Sequence, residues 1–336
     1  MTSEEINLLQ NGDKFPTLCS KPKLIETHIS WVILCKDYVY KIKKPMRYPF
    51  LDFSTLEKRL FYCQQELRLN WRLTFDLYLD IWEVRRNSTG IELGGQEGQI
   101  IDHALRMRRL DSGKQMDNLL VTNLVHKEDI RNLANKIATF HQKAEVITDK
   151  NVIGVAASFR DLESEVDFLN SHLGKWSGEA ITDSIGKSNL FLERFGELLS
   201  SRLQQGHYRD LHGDLHASNI FLLPEPVIFD CIEFNDDYRK IDILNEIAFL
   251  CMDLDAFGRE DLSALFLEYY SKFLSLQLGE EERMLFIYYK AYRANVRAKV
   301  NSLRARSTEE GSELERPLTE VDKYLKLMNH YMLEIQ

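Results

Sequence analysis

The stretch His212-Gly213-Asp214-Leu215-His216-Ala217-Ser218-Asn219-Ile220-Phe221-Leu222 constrains this chain more than any other. Polar groups capable of chemistry stand directly ahead of an apolar run. Tyr208 to Leu211 leads in, Ile220 to Leu223 leads out, and Pro224-Glu225-Pro226 forces a turn before Val227-Ile228-Phe229. The pattern reads as a loop, a strand, a tight turn and a second strand ending on Asp230. One carboxylate, Asp214, precedes the hairpin and one, Asp230, follows it. Asn219 stands five residues after Asp214, and Asp230 eleven after that.

This layout suits phosphoryl transfer. The reaction needs an acceptor for the substrate hydroxyl proton, a role open to Asp214. It also needs oxygen ligands for Mg²⁺, roles open to Asn219 and Asp230 across the hairpin. Mg²⁺ takes one or two carboxylates together with phosphate oxygens and water, so two protein ligands suffice. The protein-kinase catalytic loop has the same Asp-to-Asn spacing, with a second Asp further on.

His-Gly-Asp-Leu-x-x-Ser-Asn-Ile-Phe resembles the catalytic loop of the aminoglycoside phosphotransferase and choline kinase-like superfamily. The run from Asp242 through Glu246 to Phe249 resembles the segment that follows the metal-binding Asp there. Thr27-His28-Ile29-Ser30-Trp31-Val32, Tyr40-Lys41-Ile42-Lys43-Lys44-Pro45 and Phe229-Asp230-Cys231-Ile232-Glu233-Phe234-Asn235 extend the likeness over nearly the whole chain. They look closest to the bacterial aminoglycoside phosphotransferase family proteins. The resemblance implies an α+β, two-lobed protein-kinase-like fold. A small lobe of about residues 1–107 is a β-sheet with one main helix; a mainly helical large lobe of about 108–336 carries the catalytic loop, metal site and substrate helices. It also implies ATP and Mg²⁺ between the lobes, and transfer of the γ-phosphate to a small-molecule hydroxyl. Asp214 is then the base and His212 orients the loop. Some relatives carry a second, P-loop kinase domain; this sequence has no Gly-x-x-x-x-Gly-Lys-[Ser/Thr].

A net charge of −9 and a pI near 5.6 argue against a general nucleic-acid binder. The acidic balance would suit a cationic acceptor, but it describes the whole surface rather than a pocket. No apolar run is long enough to span a membrane, and Met1 to Asp13 has no signal-peptide core. Cys19, Cys35, Cys63, Cys231 and Cys251 are odd in number, scattered and without a Cys-x-x-Cys pair. They read as reduced thiols of a cytoplasmic protein, not as a disulfide frame or a zinc site.

Residues 1–23 read as a polar leader with one short helix ending before Pro16. Leu24 to Lys43 reads as a β-hairpin about Cys35-Lys36-Asp37. In the kinase fold a lysine on such a strand pairs with the α- and β-phosphates. Lys41 is the candidate and Lys43 the alternative, because both point to one face of a strand. No glycine-rich loop precedes Lys41, so phosphate cover falls to Glu26-Thr27-His28-Ile29-Ser30, through backbone N–H groups and hydroxyls such as that of Ser30. Gly94-Gly95-Gln96-Glu97-Gly98 reads as a hairpin loop.

Residues 54–75 are helical in pattern, capped by Ser54 or Thr55. Glu66 is preferred to Glu57 as the glutamate holding the nucleotide lysine, with Glu57 read as solvated. Strands follow at about 79–85, 90–93 and 99–108. By resemblance the hinge comes next, with adenine read by backbone near Arg108 and Leu110, beside Met107. The other reading of Arg106, Arg108 and Arg109 is a basic strand edge. From Lys127 the chain reads as helical, with His141 packed rather than catalytic, and further amphipathic patterns at 157–173, 187–205, 258–276 and 280–303. Tyr289, Arg293 and Arg297 share a helix face, read as solvated or salt-bridged, with a substrate-phosphate clamp as the lesser alternative.

After Asp230, Glu233 and Arg239 are candidate substrate contacts, with a loop-anchoring ion pair as the alternative. Asp242 and Glu246 read as structural, accepting hydrogen bonds at a helix start. A second class of function stays open. Asp210, His212, Asp214 and His216 alternate, and on a strand they would share a face, as in a metal-dependent hydrolase with histidine ligands. In the kinase reading the His216 side chain is dispensable for chemistry. An ATP-binding regulator without catalysis and a HipA-like protein kinase are the remaining alternatives.

Overall fold

The computed structural model of the chain describes residues 1–11, 15, 19, 22–48, 51–308 and 312–335. They form two compact units, Met1–Asn118 with Val227–Tyr238, and Leu119–Pro226 with Arg239–Gln336. The segment carrying Asp230 thus belongs to the first unit, a return that a single division at 107/108 does not contain.

The first unit begins with α1 (Ser3–Asn11), followed by β1 (Lys23–Glu26), β2 (Ser30–Leu34) and β3 (Tyr38–Lys43). A short ribbon of β4 (Arg47–Tyr48) and β5 (Leu51–Asp52) precedes α2 (Leu56–Asn70); β6 (Tyr78–Asn87), β7 (Gly90–Leu93) and β8 (Gln99–Arg108) complete the main sheet. Its order is β1-β2-β3-β8-β6-β7, and the pairings are antiparallel. The expected hairpin is therefore the last two strands of a meander, since β1 also pairs with β2. β7 pairs with β6 rather than β8, so Gly94–Gly98 joins strands that are not neighbours. β8 lies between β3 and β6, which overturns the strand-edge reading of its arginines. Arg106 instead pairs with Asp80 at 2.8 and 2.6 Å.

Strand alternation sorts the sheet into two faces. Trp31, Ile33, Tyr40, Ile42, Val84 and Ala104 form one core with Ile6 and Leu9 of α1. The leader is thus part of that core; the Pro16 at which its helix was expected to stop lies outside the described residues. Alternate β3 residues, Val39, Lys41 and Lys43, fall on the opposite face. There Val39 packs with Leu105 and Met107 of β8 and with Leu67 of α2. Thr55 caps α2, accepting from the Lys58 N–H at 3.3 Å.

The cysteines correct the reduced-thiol reading in part. Cys19 and Cys35 form a disulfide, with Cα atoms 5.0 Å apart. The sheet brings the end of β2 beside Cys19, a proximity that spacing along the chain does not reveal. Cys63, Cys231 and Cys251 are buried thiols.

The second unit is mainly helical. It contains α4 (Lys127–Lys143), α5 (Val155–Arg160), α6 (Val166–Leu173), α7 (Lys175–Gln204), α8 (Ile243–Ala256), α9 (Glu260–Leu274), α10 (Glu280–Arg306) and α11 (Ser312–Glu334), while α3 (Met116–Val121) bridges the boundary at Asn118. Short strands β9 (Tyr208–Asp210) and β12 (Lys240–Asp242) pair with each other, and β10 (Ile220–Phe221) follows the His212–Asn219 loop; β11 (Val227–Ile228), which ends near Asp230, belongs to the first unit. Every residue of α8 from Ile243 to Leu254 is buried, including Asn245, Glu246 and Asp253. A helix buried all round can aim polar side chains at a loop with little competition from water. No helix among the described residues is long and apolar enough to cross a membrane.

Candidate active site

In the first unit, strand alternation places Lys41 and Lys43 against α2, where both reach Glu66. Lys41 Nζ is 2.8 Å from Glu66 Oε1 and 2.6 Å from Asp230 Oδ1. Lys43 Nζ is 2.7 Å from Glu66 Oε2 and makes a second ion pair with Glu233. Glu66 is fully buried, one helical face away from the exposed Glu57. Burial would lower the pKa of Lys41, but Asp230 and Glu66 outweigh it and hold it well above its usual value. Burial would raise Glu66, yet the two lysines pull it down to about 2. Burial and the neighbouring Glu66 push Glu233 up, against the pull of Lys43.

Asp230 sits at φ +65°, a left-handed conformation that Asp tolerates better than most residues. The segment is held from α2 and the start of β6. Tyr78 Oη accepts the Asp230 N–H at 3.0 Å, Asn70 Oδ1 accepts the Cys231 N–H at 3.0 Å, and Thr74 Oγ1 donates to the Ile228 carbonyl at 2.9 Å. The Asp230 side chain remains 41% exposed, in reach of a ligand. None of its three anchors was singled out from the sequence; their signal is only that polar residues recur near the end of α2.

In the second unit, α8 and α10 hold the His212–Asn219 loop by its main chain. Glu246 accepts the N–H groups of His212 at 2.7 Å and Gly213 at 2.9 Å. Asp253 accepts the Ala217 N–H at 2.9 Å, and Arg293 donates to the Gly213 carbonyl at 3.0 Å and to Asn245 at 2.7 Å. Gly213 has φ +87°, which a glycine adopts without strain. Asp242 caps α8, accepting from the Leu244 N–H, and pairs with the buried Arg202.

Asp214 is the most exposed carboxylate of this loop, its side chain 36% accessible. Asn219 Nδ2 donates to the Asp214 carbonyl at 3.0 Å and to Asp214 Oδ2 at 3.2 Å, which leaves Oδ1 as the atom Asn219 can offer a cation. His212 Nδ1 accepts the Asp214 N–H at 3.2 Å, an orienting contact. Burial would raise Asp214, but His216, Arg297 and His212 hold it well below the usual carboxylate range.

The helix face read as solvated or salt-bridged is largely buried, with Arg297 half-buried. Tyr289 and Arg293 are within the core, and Arg297 Nη1 comes 3.4 Å from His216 Nε2. The periodicity was legible; that it faces the His212–Asn219 loop depends on how α10 packs. His216, expected to be dispensable, is buried with Nε2 3.3 Å from Asp214 Oδ2. Among the described residues, no three His, Cys, Asp or Glu side chains converge as a metal-ligand cluster. His212 and His216 therefore do not form the ligand set that the hydrolase reading needs.

The remaining candidates fall out unevenly. Ser30 is fully buried; its carbonyl and N–H bond with Thr27, and its hydroxyl has no partner among the described residues. His28, at the tip of the same turn, is exposed. Met107 is buried, Arg108 exposed and Leu110 half-buried. The Arg108 N–H donates to Leu77 and the Arg109 N–H to Asp37, so two backbone donors of this segment are already engaged. Glu233 is committed to Lys43 and Arg239 to Asp210 at 2.6 Å, both buried, which is the anchoring alternative rather than substrate contact. His141 is buried and bonded to Tyr270 at 2.7 Å, as a packed histidine would be.

No family model matches the chain. An uncharacterized protein of Mycobacterium tuberculosis is 33% identical over 286 residues, 83% of this chain, and one of Mycobacterium bovis matches equally. The chain spans 54%, about half, of the length of these relatives. Among solved structures, choline kinase from Cryptosporidium parvum matches with a TM-score of 0.54 at 11% identity, over 93% of this chain and 90% of that one. A choline/ethanolamine kinase family protein from Mesorhizobium loti matches with a TM-score of 0.51 at 11% identity, over 93% of each chain. By fold, the chain is similar to these two kinases.

Proposed function

We propose that the protein is an ATP-dependent phosphotransferase acting on the hydroxyl of a small molecule. The observation that carries this reading is Lys41 held between Glu66 and Asp230, at 2.8 and 2.6 Å. A lysine on the third strand paired with a helix glutamate, beside a carboxylate that can bind metal, is the arrangement phosphoryl transfer calls for. Lys41 meets the nucleotide phosphates, and Glu66 holds it in place. The Asp230 carboxylate and Asn219 Oδ1 are hard oxygen donors of the kind Mg²⁺ takes. When bound, Mg²⁺ neutralises charge on the phosphates. Asp214 accepts the acceptor's hydroxyl proton as its oxygen bonds to the γ-phosphorus and ADP leaves. Its low pKa keeps it ionised at neutral pH, so its contribution is as much orientation of the hydroxyl as proton affinity.

Choline and ethanolamine, the acceptors named for the structural neighbours, are the first compounds to try, ahead of wider metabolite and antibiotic pools. The test is ATP consumption across these pools, with Asp214→Asn as the control. Acceptor-dependent ADP formation lost in the control supports the assignment; ATP-independent hydrolysis by the wild-type protein would sink it.

A further inference from the structure

One ring nitrogen in the second unit has too many neighbours for a packing role. His216 Nε2 lies 3.3 Å from Asp214 Oδ2, 3.3 Å from Asn219 Nδ2 and 3.4 Å from Arg297 Nη1. His216 Nδ1 is buried and has no partner among the described residues. Arginine and amide nitrogens only donate, so Nε2 cannot serve all three neighbours. The Asn219 amide already has both N–H groups directed at Asp214.

The tautomers can be compared directly. With the proton on Nδ1, a buried N–H is orphaned and the Nε2 lone pair faces a carboxylate oxygen. With the proton on Nε2, the ring can donate to Asp214 at 3.3 Å, while a lone pair on Nδ1 is left unmatched and the Arg297 Nη1–H at 3.4 Å loses its acceptor. Each tautomer leaves one N–H without an acceptor, but the first also sets the Nε2 lone pair against the ionised Asp214 carboxylate, so the second is favoured. Arg297 then braces the ring without a hydrogen bond. Its own place is set by α11, where Tyr324 lies beneath the guanidinium, 5.5 Å from the ring centroid, and donates to Asp253 at 3.1 Å. Asp253 in turn holds the Ala217 N–H at 2.9 Å, beside His216.

We propose that His216 is a positioning residue: its Nε2–H and the Asn219 amide both hold Oδ2 of Asp214, leaving Oδ1 to take the acceptor's proton. Arg297 keeps the ring in place. This rests on the phosphotransferase reading and adds a residue to it.

Two measurements on the full chain test it. The first is nitrogen-detected tautomer analysis of histidine-labelled protein at neutral pH, with His216 assigned by its loss in His216→Gln. A pyrrole-type Nε2 with a pyridine-type Nδ1 is expected, and the reverse pattern overturns the proposal whatever the turnover. The second is Mg·ATP hydrolysis, with water as the acceptor. His216→Ala is expected to lower kcat on the order of 100-fold while the KM for ATP stays about the same, as for a misplaced catalytic group. His216→Gln, which keeps an N–H at the reach of Nε2, is expected to restore most of that loss. A kcat in His216→Ala close to wild type overturns the proposal alone. So does a loss that glutamine fails to restore and that tracks a fall in Tm, because that marks a structural role. A wild-type protein that does not bind Mg·ATP removes the phosphotransferase reading itself, and the proposal with it.

Discussion

In the first unit, Lys41 and Lys43 are held by the side-chain carboxylates of Glu66, Asp230 and Glu233. In the second, the loop from His212 to Asn219 is held largely by its backbone, through Glu246, Asp253 and Arg293. The two arrangements respond differently to change. A charge cluster is sensitive to an added ion, because its members are one another's counterions. A loop pinned at its N–H groups keeps its shape whatever its side chains do. The first is held by charge and the second by backbone hydrogen bonds to the segment that carries Asp214.

Asp214→Asn probes this contrast most sharply. Its backbone anchors are untouched, so Tm should hold while kcat falls by roughly 10²–10⁴-fold, the usual share of a positioned acid–base group. A collapse of Tm would show that the loop depends on its side chains after all. Asp230→Asn comes next; asparagine tolerates the positive φ, so thermal melting should change little. The Mg²⁺ dependence of nucleotide binding should be lost, a change of about ten-fold or more in apparent affinity. Unchanged Mg²⁺ titrations would remove Asp230 from the metal shell.

Lys41 and Lys43 should then separate. Lys41→Ala is expected to weaken ATP binding about ten-fold or more, the scale of a lost charged contact of ~1.5–3 kcal/mol. Lys43→Ala leaves Glu66 and Glu233 facing each other without their buried cation, and should cost stability, by ~3–5 kcal/mol in denaturant unfolding, ahead of affinity. If calorimetry instead finds ATP affinity tracking Lys43, the two lysines have exchanged roles.

The smallest effect is in acid. Glu66 titrates near 2 in the folded protein against 4.5 for an ordinary glutamate, so its contribution is complete above about pH 4.5 and fades as the pH falls toward 2. Urea midpoints measured across that window should decline in wild type more steeply than in Glu66→Gln. Parallel curves would mean that the lysines do not hold Glu66 as described.

Much of this was visible in the chain before folding. Strand alternation put Lys41 and Lys43 on one face, and the structure joins both to Glu66, the glutamate preferred from the sequence; the roles proposed for Asp214, Asn219 and Asp230 were suggested by their spacing around the hairpin. The strands at 90–93 and 99–108 were readable from composition, and the structure places β7 and β8 over those residues. Other features were not local. The Arg293 and Arg297 face carried a visible period, but a period does not say whether a face meets water or a catalytic loop.

Local pattern therefore determined which side chains could do chemistry and which strand face each would take, because alternation and loop spacing act over a few residues. Tertiary structure alone decided what those side chains meet. Cys19 found Cys35 across the sheet, Glu246 found two loop N–H groups from a buried helix, and His216 found Arg297 from α10. These partners lie far apart in sequence, and only the packing of a whole sheet or helix sets their distance, which is why no short stretch of the chain announces them.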